Sequence, residues 1–305
     1  MQMERHFRIK DHLEKIHICW NDQVKEPHPS TWFDSQKRPD VITTTEWDAT
    51  IIWEGTYKRQ ILEKYYKRLN ITIGLVVYAP AKLANRYLKQ FLQSAEKHFM
   101  VGYHVIFYLL IDDKINTQSL SLKLGPLRTF KACNIYKEKE MDIDHFTLMS
   151  NLNAYVIDAI QFEVNYVFIM AVNQIFKSDF GVETLGRSIA QLHSWWYFQN
   201  TKHFPYERRK NAASFIPYGE GDFYYHSAIW GGTPHEVLNF TKEYQRGFYL
   251  DNSSKLNSEY EKYLNKYFFE NKPTKLLSPE YNWDPAFKTP PQIKQVKIAW
   301  QPENS

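Results

Sequence analysis

A small set of side chains in the second half of this 305-residue chain could do chemistry together. Glu261 is a carboxylate that could act as a nucleophile or stabilise a developing positive charge. His193 and His226 could act as ligands for a substrate, and Trp195-Trp196 offers apolar ring faces for stacking. Each also has an ordinary explanation, because a lone acid on a helix is usually solvated and histidines and paired tryptophans are usually structural. Only their combination with neighbouring motifs favours a functional site.

Four apolar stretches rich in β-branched residues are too short for buried helices and predict strands. They cover residues 71–78, 105–111, 129–133 and 167–170. Apolar residues at helical spacing predict a helix over residues 84–99, and residues 154–164 predict a helix that leads into the last of these strands. Strands that alternate with helices are typical of an open α/β sheet, in which ligands bind at the carboxyl ends of the strands. The residues that follow the first and last of these strands would therefore line one crevice.

A series of short motifs, in a fixed order, carries a family resemblance. In chain order these are Gly219-Glu220-Gly221-Asp222-Phe223-Tyr224-Tyr225, Gly231-Gly232-Thr233-Pro234, Leu264-Asn265-Lys266-Tyr267, Lys272-Pro273-Thr274-Lys275 and Leu277-Ser278-Pro279-Glu280-Tyr281. The series resembles glycosyltransferase family 6, which includes the α-1,3-galactosyltransferases and the ABO blood-group transferases. The resemblance runs from Trp32 to Trp300, and it implies a further helix over residues 58–69. It implies a GT-A type nucleotide-sugar transferase fold, with a single Rossmann-like open sheet and an acceptor-binding subregion.

The resemblance implies roles for residues along the crevice. Glu261 matches the family's catalytic glutamate, which would act as a nucleophile or steady an oxocarbenium-like centre, and either role would retain the configuration of the sugar. Asp222 could hydrogen-bond sugar hydroxyls. The donor- and substrate-binding positions that the resemblance implies are Tyr78, Ala79, Pro80, Leu83, Ala171, Val172, Asn173, His193, Ser194, Trp195, Trp196, Pro205, Asp222 and His226.

The diphosphate side departs from the family pattern. The family's Asp-Val-Asp, which holds Mn²⁺ on the nucleotide-sugar diphosphate, is Ala171-Val172-Asn173 here. A hard cation prefers several oxygen ligands, mostly carboxylates, and these side chains offer one neutral amide oxygen. We therefore expect no metal at the degenerate positions, although Mn²⁺ is the family cofactor. The remaining departures are Leu148 for a donor-binding arginine, Leu83 for an aromatic neighbour of the uracil, and Gln301-Pro302-Glu303-Asn304-Ser305 for a basic tail.

Composition excludes several other classes of protein. A net charge of +4 without a concentrated basic stripe argues against nucleic-acid binding. No Gly-x-Gly-x-x-Gly follows a predicted strand, which argues against a dehydrogenase. The two cysteines, Cys19 and Cys133, cannot form a disulfide scaffold. The hydrophobic content of 43% is typical of a globular protein.

The polar residues 1–50, which contain Pro27, Pro29 and Pro39, predict an N-terminal stem or arm ahead of a transferase domain over residues 51–305. Three sequons, at Asn70, Asn239 and Asn252, fit N-glycosylation in a secretory lumen. The resemblance implies a Golgi membrane protein with an N-terminal signal anchor. Residues 1–20 are too charged to span a bilayer, so we expect that anchor to lie upstream or to be lacking.

Two hypotheses about function remain. The first is a retaining transferase that moves a galactose- or N-acetylgalactosamine-type hexose from a UDP-sugar donor to a β-galactoside glycan acceptor, with weakened or metal-independent activity. The second is an inactive pseudoenzyme that binds a glycan or a partner transferase. The presence of Glu261 favours the transferase. The altered residues at the diphosphate-binding positions favour the pseudoenzyme.

Overall fold

The structure, a computed structural model, describes residues 26–111, 123–136, 144–256 and 258–301. Within these residues the strands, in chain order, are β1 (Thr50–Ile52), β2 (Thr72–Ala79), β3 (His104–Ile111), β4 (Arg128–Asn134), β5 (Tyr166–Ala171), β6 (Gln174–Phe176), β7 (Ser188–Leu192), β8 (Tyr225–Gly232), β9 (Lys275–Leu277) and β10 (Ile298–Trp300). Eight of these strands form one sheet, and β6 and β10 form a separate antiparallel pair. The main sheet confirms the predicted α/β class. The small second sheet was not predicted.

The strand order of the main sheet is β1-β9-β7-β8-β5-β2-β3-β4. Neighbours are parallel throughout, except that β8 runs antiparallel to both β5 and β7. Because β8 is reversed, its first residues lie at the edge where β2, β5 and β7 end. Leu192 at the end of β7 is paired with Tyr225 at the start of β8. This reversal brings residues far apart in sequence to one edge of the sheet.

Helices cover both faces of the main sheet. The longer ones are α1 (Arg59–Arg68), α2 (Lys89–His98), α3 (Asp144–Tyr155), α4 (Pro234–Ser253) and α5 (Tyr260–Glu270). Helices α1 and α2 pack in one buried cluster with Leu75 and Val77 of β2. Helices α3, α4 and α5 pack in the other, with Val76 of β2. Burial on both faces explains why β2 reads as an unbroken apolar run.

The predicted strands and the first two predicted helices are confirmed within a few residues. The third predicted helix is wrong at its start, because α3 begins at Asp144 rather than at residue 154. The side chain of Asn151 accounts for the error: Nδ2 donates to Thr147 O and Tyr136 O, and Oδ1 accepts from Tyr136 N. Buried polar residues that bond locally in this way interrupt the apolar spacing from which a helix is predicted.

The part of the predicted arm that the structure describes, residues 26–50, lies against the folded body. Trp32 is buried in the same cluster as α1 and α2. The Arg38 guanidinium donates to Glu54 O and Gln292 O. The domain boundary at residue 50 stays a prediction, and residues 1–25 and 302–305 lie outside the described residues. Among the described helices, none has the length and apolar character needed to cross a membrane.

Candidate functional site

The carboxyl ends of β2 and β5 form one side of the candidate site. Tyr78 is paired with Ala171 across these parallel strands, so residues 78–80 lie beside the turn that follows β5. Ala79 is buried, whereas Tyr78 and Pro80 are half-buried. Leu83 ends the helical turn Ala81–Leu83 just beyond and is 36% exposed. The predicted uridine-binding residues therefore lie beside the Ala171-Val172-Asn173 turn.

That turn is joined to β8 through a buried glutamine. Gln174 Nε2 donates to Ala171 O at 3.0 Å and to Ala228 O at 2.9 Å. Gln174 Oε1 accepts from Asn282 Nδ2 at 2.8 Å. Because the side chain is fully buried and both ends are bonded, it holds β5 and β8 together at the edge of the site.

The C-terminal strand closes over the same turn. Gln301 N donates to Asn173 O at 2.9 Å, and Gln301 Nε2 donates to Gln174 O at 2.7 Å and to Val172 O at 3.2 Å. Gln301 is 6% exposed. The carbonyl oxygens of the turn are thus bonded to neutral amides of the protein itself.

The ends of β7 and β8 bring the two predicted histidines into contact. The ring centroids of His193 and His226 are 4.5 Å apart. His193 Nδ1 accepts from Trp195 N at 3.2 Å, and His226 Nδ1 accepts from Ala228 N at 2.9 Å. A neutral imidazole whose Nδ1 accepts carries its proton on Nε2. Each histidine therefore offers an Nε2–H donor, and neither Nε2 has a hydrogen-bond partner within the described part of the chain.

Burial keeps both histidines neutral. Burial, together with the neighbouring His226, lowers the pKa of His193 from 6.5 to about 4. Burial also lowers the pKa of His226 to about 4. A buried cation is costly because the protein interior solvates charge poorly, and two adjacent rings repel if both are charged. At neutral pH the pair can donate hydrogen bonds to a ligand without adding positive charge.

Glu261 lies in the first turn of α5, beside these histidines. Glu261 Oε2 accepts from Ser227 N and from Ser227 Oγ, both at 2.9 Å. His226 Nδ1 is 3.7 Å from the same oxygen, too far for a hydrogen bond. The side chain of Glu261 is 22% exposed, so a ligand in the crevice could reach it.

Asn265 fixes the helix that carries Glu261. Asn265 Oδ1 accepts from Tyr225 N at 2.8 Å, and Asn265 Nδ2 donates to Tyr225 O at 2.9 Å and to Glu261 O at 2.8 Å. The side chain is almost fully buried. These bonds join α5 to the first residue of β8, which places Glu261 opposite Ser227.

Aromatic side chains surround this group. Trp195 is 45% exposed and packs on Phe287, with ring centroids 5.1 Å apart. Trp196 is half-buried, 6.4 Å from the His193 ring, and Ser194 between them is buried. The Trp300 ring lies 5.4 Å from His226. Since Trp300 also pairs with Gln174 across β6 and β10, it connects the two sides of the site.

Two of the predicted site residues, Asp222 and Pro205, are not part of the group around His193, His226 and Glu261. Asp222 forms an ion pair with Lys272, whose ammonium lies over the ring of Trp47. Pro205 is half-buried between Phe204 and Tyr206 of a small aromatic cluster. That cluster includes Tyr224, whose ring is 5.7 Å from His193. Asp222 would have to share its carboxylate with Lys272 in order to bind a sugar hydroxyl.

Sequence comparison decides the ancestry of this site. The sequence profile of Glycosyltransferase family 6 matches residues 2–305. The chain belongs to glycosyltransferase family 6. This membership confirms the resemblance on which the site residues were predicted, and the mainly parallel sheet is consistent with a GT-A type family 6 fold.

Several curated family 6 proteins resemble the chain over most of their length. N-acetyllactosaminide alpha-1,3-galactosyltransferase-like 1 of Mus musculus is 57% identical, over 97% of this chain and 92% of the relative. Glycosyltransferase 6 domain-containing protein 1 of Macaca fascicularis is 53% identical, over 98% and 92%. Globoside alpha-1,3-N-acetylgalactosaminyltransferase 1 of Gallus gallus is 37% identical, over 88% and 78%.

The residues at the family 6 metal position do not fit Mn²⁺. Ala171 has no ligand atom, Asn173 has one neutral oxygen, and the main-chain oxygens of the turn are bonded to Gln174 and Gln301. In the described ranges, no group of three or more His, Cys, Asp or Glu side chains is arranged to hold a metal ion. Leu148 is buried in the core on the α3 side of the sheet, so it adds no charge either.

The structure brings together most predicted residues and adds some that were missed. Ser227, Asn265 and Gln301 were not predicted as site residues. Asn265 could have been found, because it lies four residues after Glu261 and so on the same face of α5. The bonds of Ser227 and Gln301 join segments 34 and 129 residues apart, and no local pattern signals them.

The three sequons have different surroundings and remain predictions. Asn70 is exposed after α1, and Asn252 is exposed in the last turn of α4. Asn239 lies in the middle of α4, and the Thr241 hydroxyl of its sequon is buried, donating to Leu238 O and accepting from Asn153 Nδ2. Asn252 is therefore better exposed than Asn239 in the folded protein.

Proposed function

We propose that this family 6 protein transfers a galactose- or N-acetylgalactosamine-type hexose from a UDP-sugar to a β-galactoside glycan, with retention, weakly and without a divalent metal. The observation that carries the proposal is the position of Glu261. Its carboxylate lies beside His226 at the sheet edge where β2 and β5 end. In open α/β sheets this edge is where nucleotide ligands bind.

In this proposal, different residues of the site bind the uridine, bind the sugars and act at the anomeric carbon. Tyr78, Ala79 and Pro80, with Leu83 beyond them, would contact the uridine. The exposed face of Trp195 would stack on the acceptor sugar. The Nε2–H groups of His193 and His226 would donate to oxygens of the bound sugars. Glu261 would form a bond to the anomeric carbon, or stabilise its positive charge, as the bond to the diphosphate breaks and its electron pair leaves with UDP.

The weak point of this reaction is the departure of UDP. The leaving diphosphate gains negative charge, and a metal ion usually stabilises it. The positions that hold the metal in relatives with Asp-Val-Asp are Ala171 and Asn173 here. Loss of one preorganised charge-stabilising group slows catalysis on the order of 100- to 1,000-fold. We therefore propose slow transfer. It would be carried by the residues at the end of β7, at the start of β8 and on α5, which together form the sugar side of the site.

The names of relatives support glycans as substrates. One relative is named for N-acetyllactosaminide and galactose, and another for globoside and N-acetylgalactosamine. The second name describes an alpha-1,3 transfer to globoside, and the first describes a protein similar to an alpha-1,3-galactosyltransferase. For this chain, a glycan acceptor and a UDP-hexose donor are the corresponding proposal.

A second candidate function is a pseudoenzyme that binds a glycan, or a partner transferase, without turnover. Two observations favour it. Gln301 bonds the carbonyl oxygens of the Val172–Gln174 turn, and Lys272 pairs with the Asp222 carboxylate. Both interactions occupy groups that a donor or an acceptor would otherwise bind.

Calorimetric titration of UDP-galactose and UDP-N-acetylgalactosamine, with and without Mn²⁺, distinguishes the two. We expect metal-independent binding accompanied by slow donor hydrolysis. Glu261→Gln is the matched control, because it keeps the shape of the site while removing the charge and should bind donor without hydrolysing it. Absence of donor binding under both conditions would leave only the pseudoenzyme.

The cellular location is part of the proposal. We propose the Golgi lumen. Occupied sequons would support a secretory route, and Asn70 and Asn252 are the more favourable ones because both are exposed. The protein expressed in animal cells should lose apparent mass on treatment with a glycan-removing enzyme, and Asn252→Gln should reduce that loss. An unchanged mass would argue against a lumenal protein.

A further inference from the structure

Ser227 gives the Glu261 carboxylate two hydrogen bonds on one oxygen. The main-chain N–H and the side-chain O–H of Ser227 both donate to Glu261 Oε2, each at 2.9 Å. Two donors from one residue fix the position of that oxygen. Hydrogen bonds to an ionised acceptor are also stronger than those between neutral groups.

The other groups that face Glu261 do not duplicate this arrangement. Tyr224, just before β8, has a phenol whose pKa is raised by burial and by the charge and a side-chain hydrogen bond of Glu261, and on β8 itself the other group is His226. His226 Nδ1 already accepts from Ala228 N, so in the neutral ring it has no proton to give to Glu261. His193, at the end of β7, senses the charge of Glu261, and Tyr260 and Lys262 flank it on α5. Ser227 is therefore the residue that determines where Oε2 lies.

Asn265 performs a separate task. Its bonds to Tyr225 N, Tyr225 O and Glu261 O hold the main chain of α5 against β8. They do not touch the Glu261 carboxylate. The backbone and the carboxylate of Glu261 are thus fixed by different residues, and a change at Ser227 should free the carboxylate without displacing the helix.

We propose that Ser227 is a positioning residue for Glu261. It holds Oε2 on the protein, so that Oε1 is the oxygen that stays available to a bound sugar or to the Tyr224 phenol. This inference rests on the proposed function, in which Glu261 acts at the anomeric carbon. Because the hydroxyl supplies one of the two bonds, its role is separable from that of the main-chain N–H.

Three variants test the inference. Ser227→Ala removes the hydroxyl bond and keeps the N–H bond, and Ser227→Thr restores a hydroxyl. Ser253→Ala is the matched control, because it deletes a serine hydroxyl that bonds only Leu250 O at the exposed end of α4. Donor hydrolysis gives kcat and KM for each variant, and crystal structures give the conformers of the Glu261 side chain.

We expect Ser227→Ala to lower kcat about 10-fold, the effect of losing one hydrogen bond to a charged group, while KM changes less than about twofold. Glu261 should occupy more than one conformer in this variant and one in the wild type. Ser227→Thr should restore both properties, and Ser253→Ala should alter neither. A purely structural role of Ser227 would not separate kcat from KM or respond to the threonine.

Two results would overturn the inference: a single Glu261 conformer in Ser227→Ala, or several conformers with an unchanged kcat. Failure of the proposed function looks different. If the wild-type protein hydrolyses no donor but Ser227→Ala still frees the Glu261 side chain, the positioning role stands and the transferase proposal falls.

Discussion

The two sides of the candidate site are built from different kinds of interaction. Around the Ala171-Val172-Asn173 turn, the groups that meet the main-chain oxygens are the neutral amides of Gln174 and Gln301. Around the first residues of β8, the side chains are ionisable, namely two histidines and Glu261. Trp300 contacts both regions.

This difference teaches that recognition of a sugar and stabilisation of a leaving group are separable properties of one sheet edge. The sugar side depends on side chains placed by β7, β8 and α5, and their geometry is supported by buried bonds such as those of Asn265. The diphosphate side depends on charges presented by a single turn. Two substitutions are enough to remove those charges, and the surrounding fold does not have to change.

The largest expected effect is loss of turnover on changing the sugar side. Glu261→Gln should reduce any donor hydrolysis or transfer about 1,000-fold, because the amide can neither attack the anomeric carbon nor stabilise its charge. Steady-state kinetics with UDP-galactose measure it. Glu259→Gln, at an exposed position just before α5, is the control and should keep full activity. Equal activity of the two variants would show that the reaction does not use Glu261.

The second largest expected effect is a loss of folding stability in acid, caused by the two histidines of the sugar side. His193 and His226 have folded pKa values of about 4, below the usual 6.5, so the unfolded chain takes up protons first as the pH falls. Their contribution is complete above about pH 6.5 and should be lost progressively down to about pH 4, a change on the order of 3 kcal/mol for each histidine. Urea unfolding across this range measures it.

The control for this prediction is the double variant His193→Gln with His226→Asn, whose stability should change less between pH 6.5 and pH 4. Glu207 loses its contribution to stability in a different pH range. Arg209 lowers the pKa of Glu207 to about 2, so its contribution is lost at lower pH than that of the histidines. A double variant as acid-sensitive as the wild type would assign the effect to other groups.

Asn265→Ala should lower the free energy of unfolding by about 2 kcal/mol, because it leaves the buried N–H and C=O of Tyr225 without partners. Urea unfolding at pH 7 measures the loss. Asn271→Ala is the matched control, since its exposed side chain makes one bond, to Tyr267 O, near the end of the same helix. The prediction fails if the two variants lose equal stability.

The smallest expected effect lies on the diphosphate side. Ala171→Asp combined with Asn173→Asp restores two carboxylates and should create weak Mn²⁺ binding, detectable by calorimetry with UDP present. Ala171→Asn is the control, because it adds an oxygen without charge. Mn²⁺-dependent donor hydrolysis by the double variant would show that the rest of the pocket is intact. No Mn²⁺ binding would show that Gln301 or Leu148 also has to change.

The core of the fold was predictable because its signals are local. The strand at 71–78 is almost wholly apolar, and β2 is buried on both faces of the sheet. The start of α3 was not predictable, because Asn151 is buried and bonds Tyr136, which no periodicity anticipates. Local pattern therefore sets where apolar elements run, and it loses accuracy where buried polar groups bond across the chain.

The candidate site was predictable mainly through family motifs. Glu261, His193 and His226 were placed by their neighbours in sequence, and the structure brings them together. Residues that support them were missed, because Ser227 and Gln301 act through bonds to distant segments. The pairing of Asp222 with Lys272 was also missed, since it joins segments 50 residues apart.

The reversed strand β8 is constrained unevenly along its length. A methyl group added at Gly231 would lie 2.3 Å from Val167 O, and one added at Gly232 would lie 2.1 Å from Arg187 O. Those two positions leave no room for any side chain, whereas His226 and Ser227 at the other end are half-buried and face the crevice. A saturation library across its eight positions, scored for folding alone, should therefore show the lowest tolerance at the two glycines and the highest at His226 and Ser227.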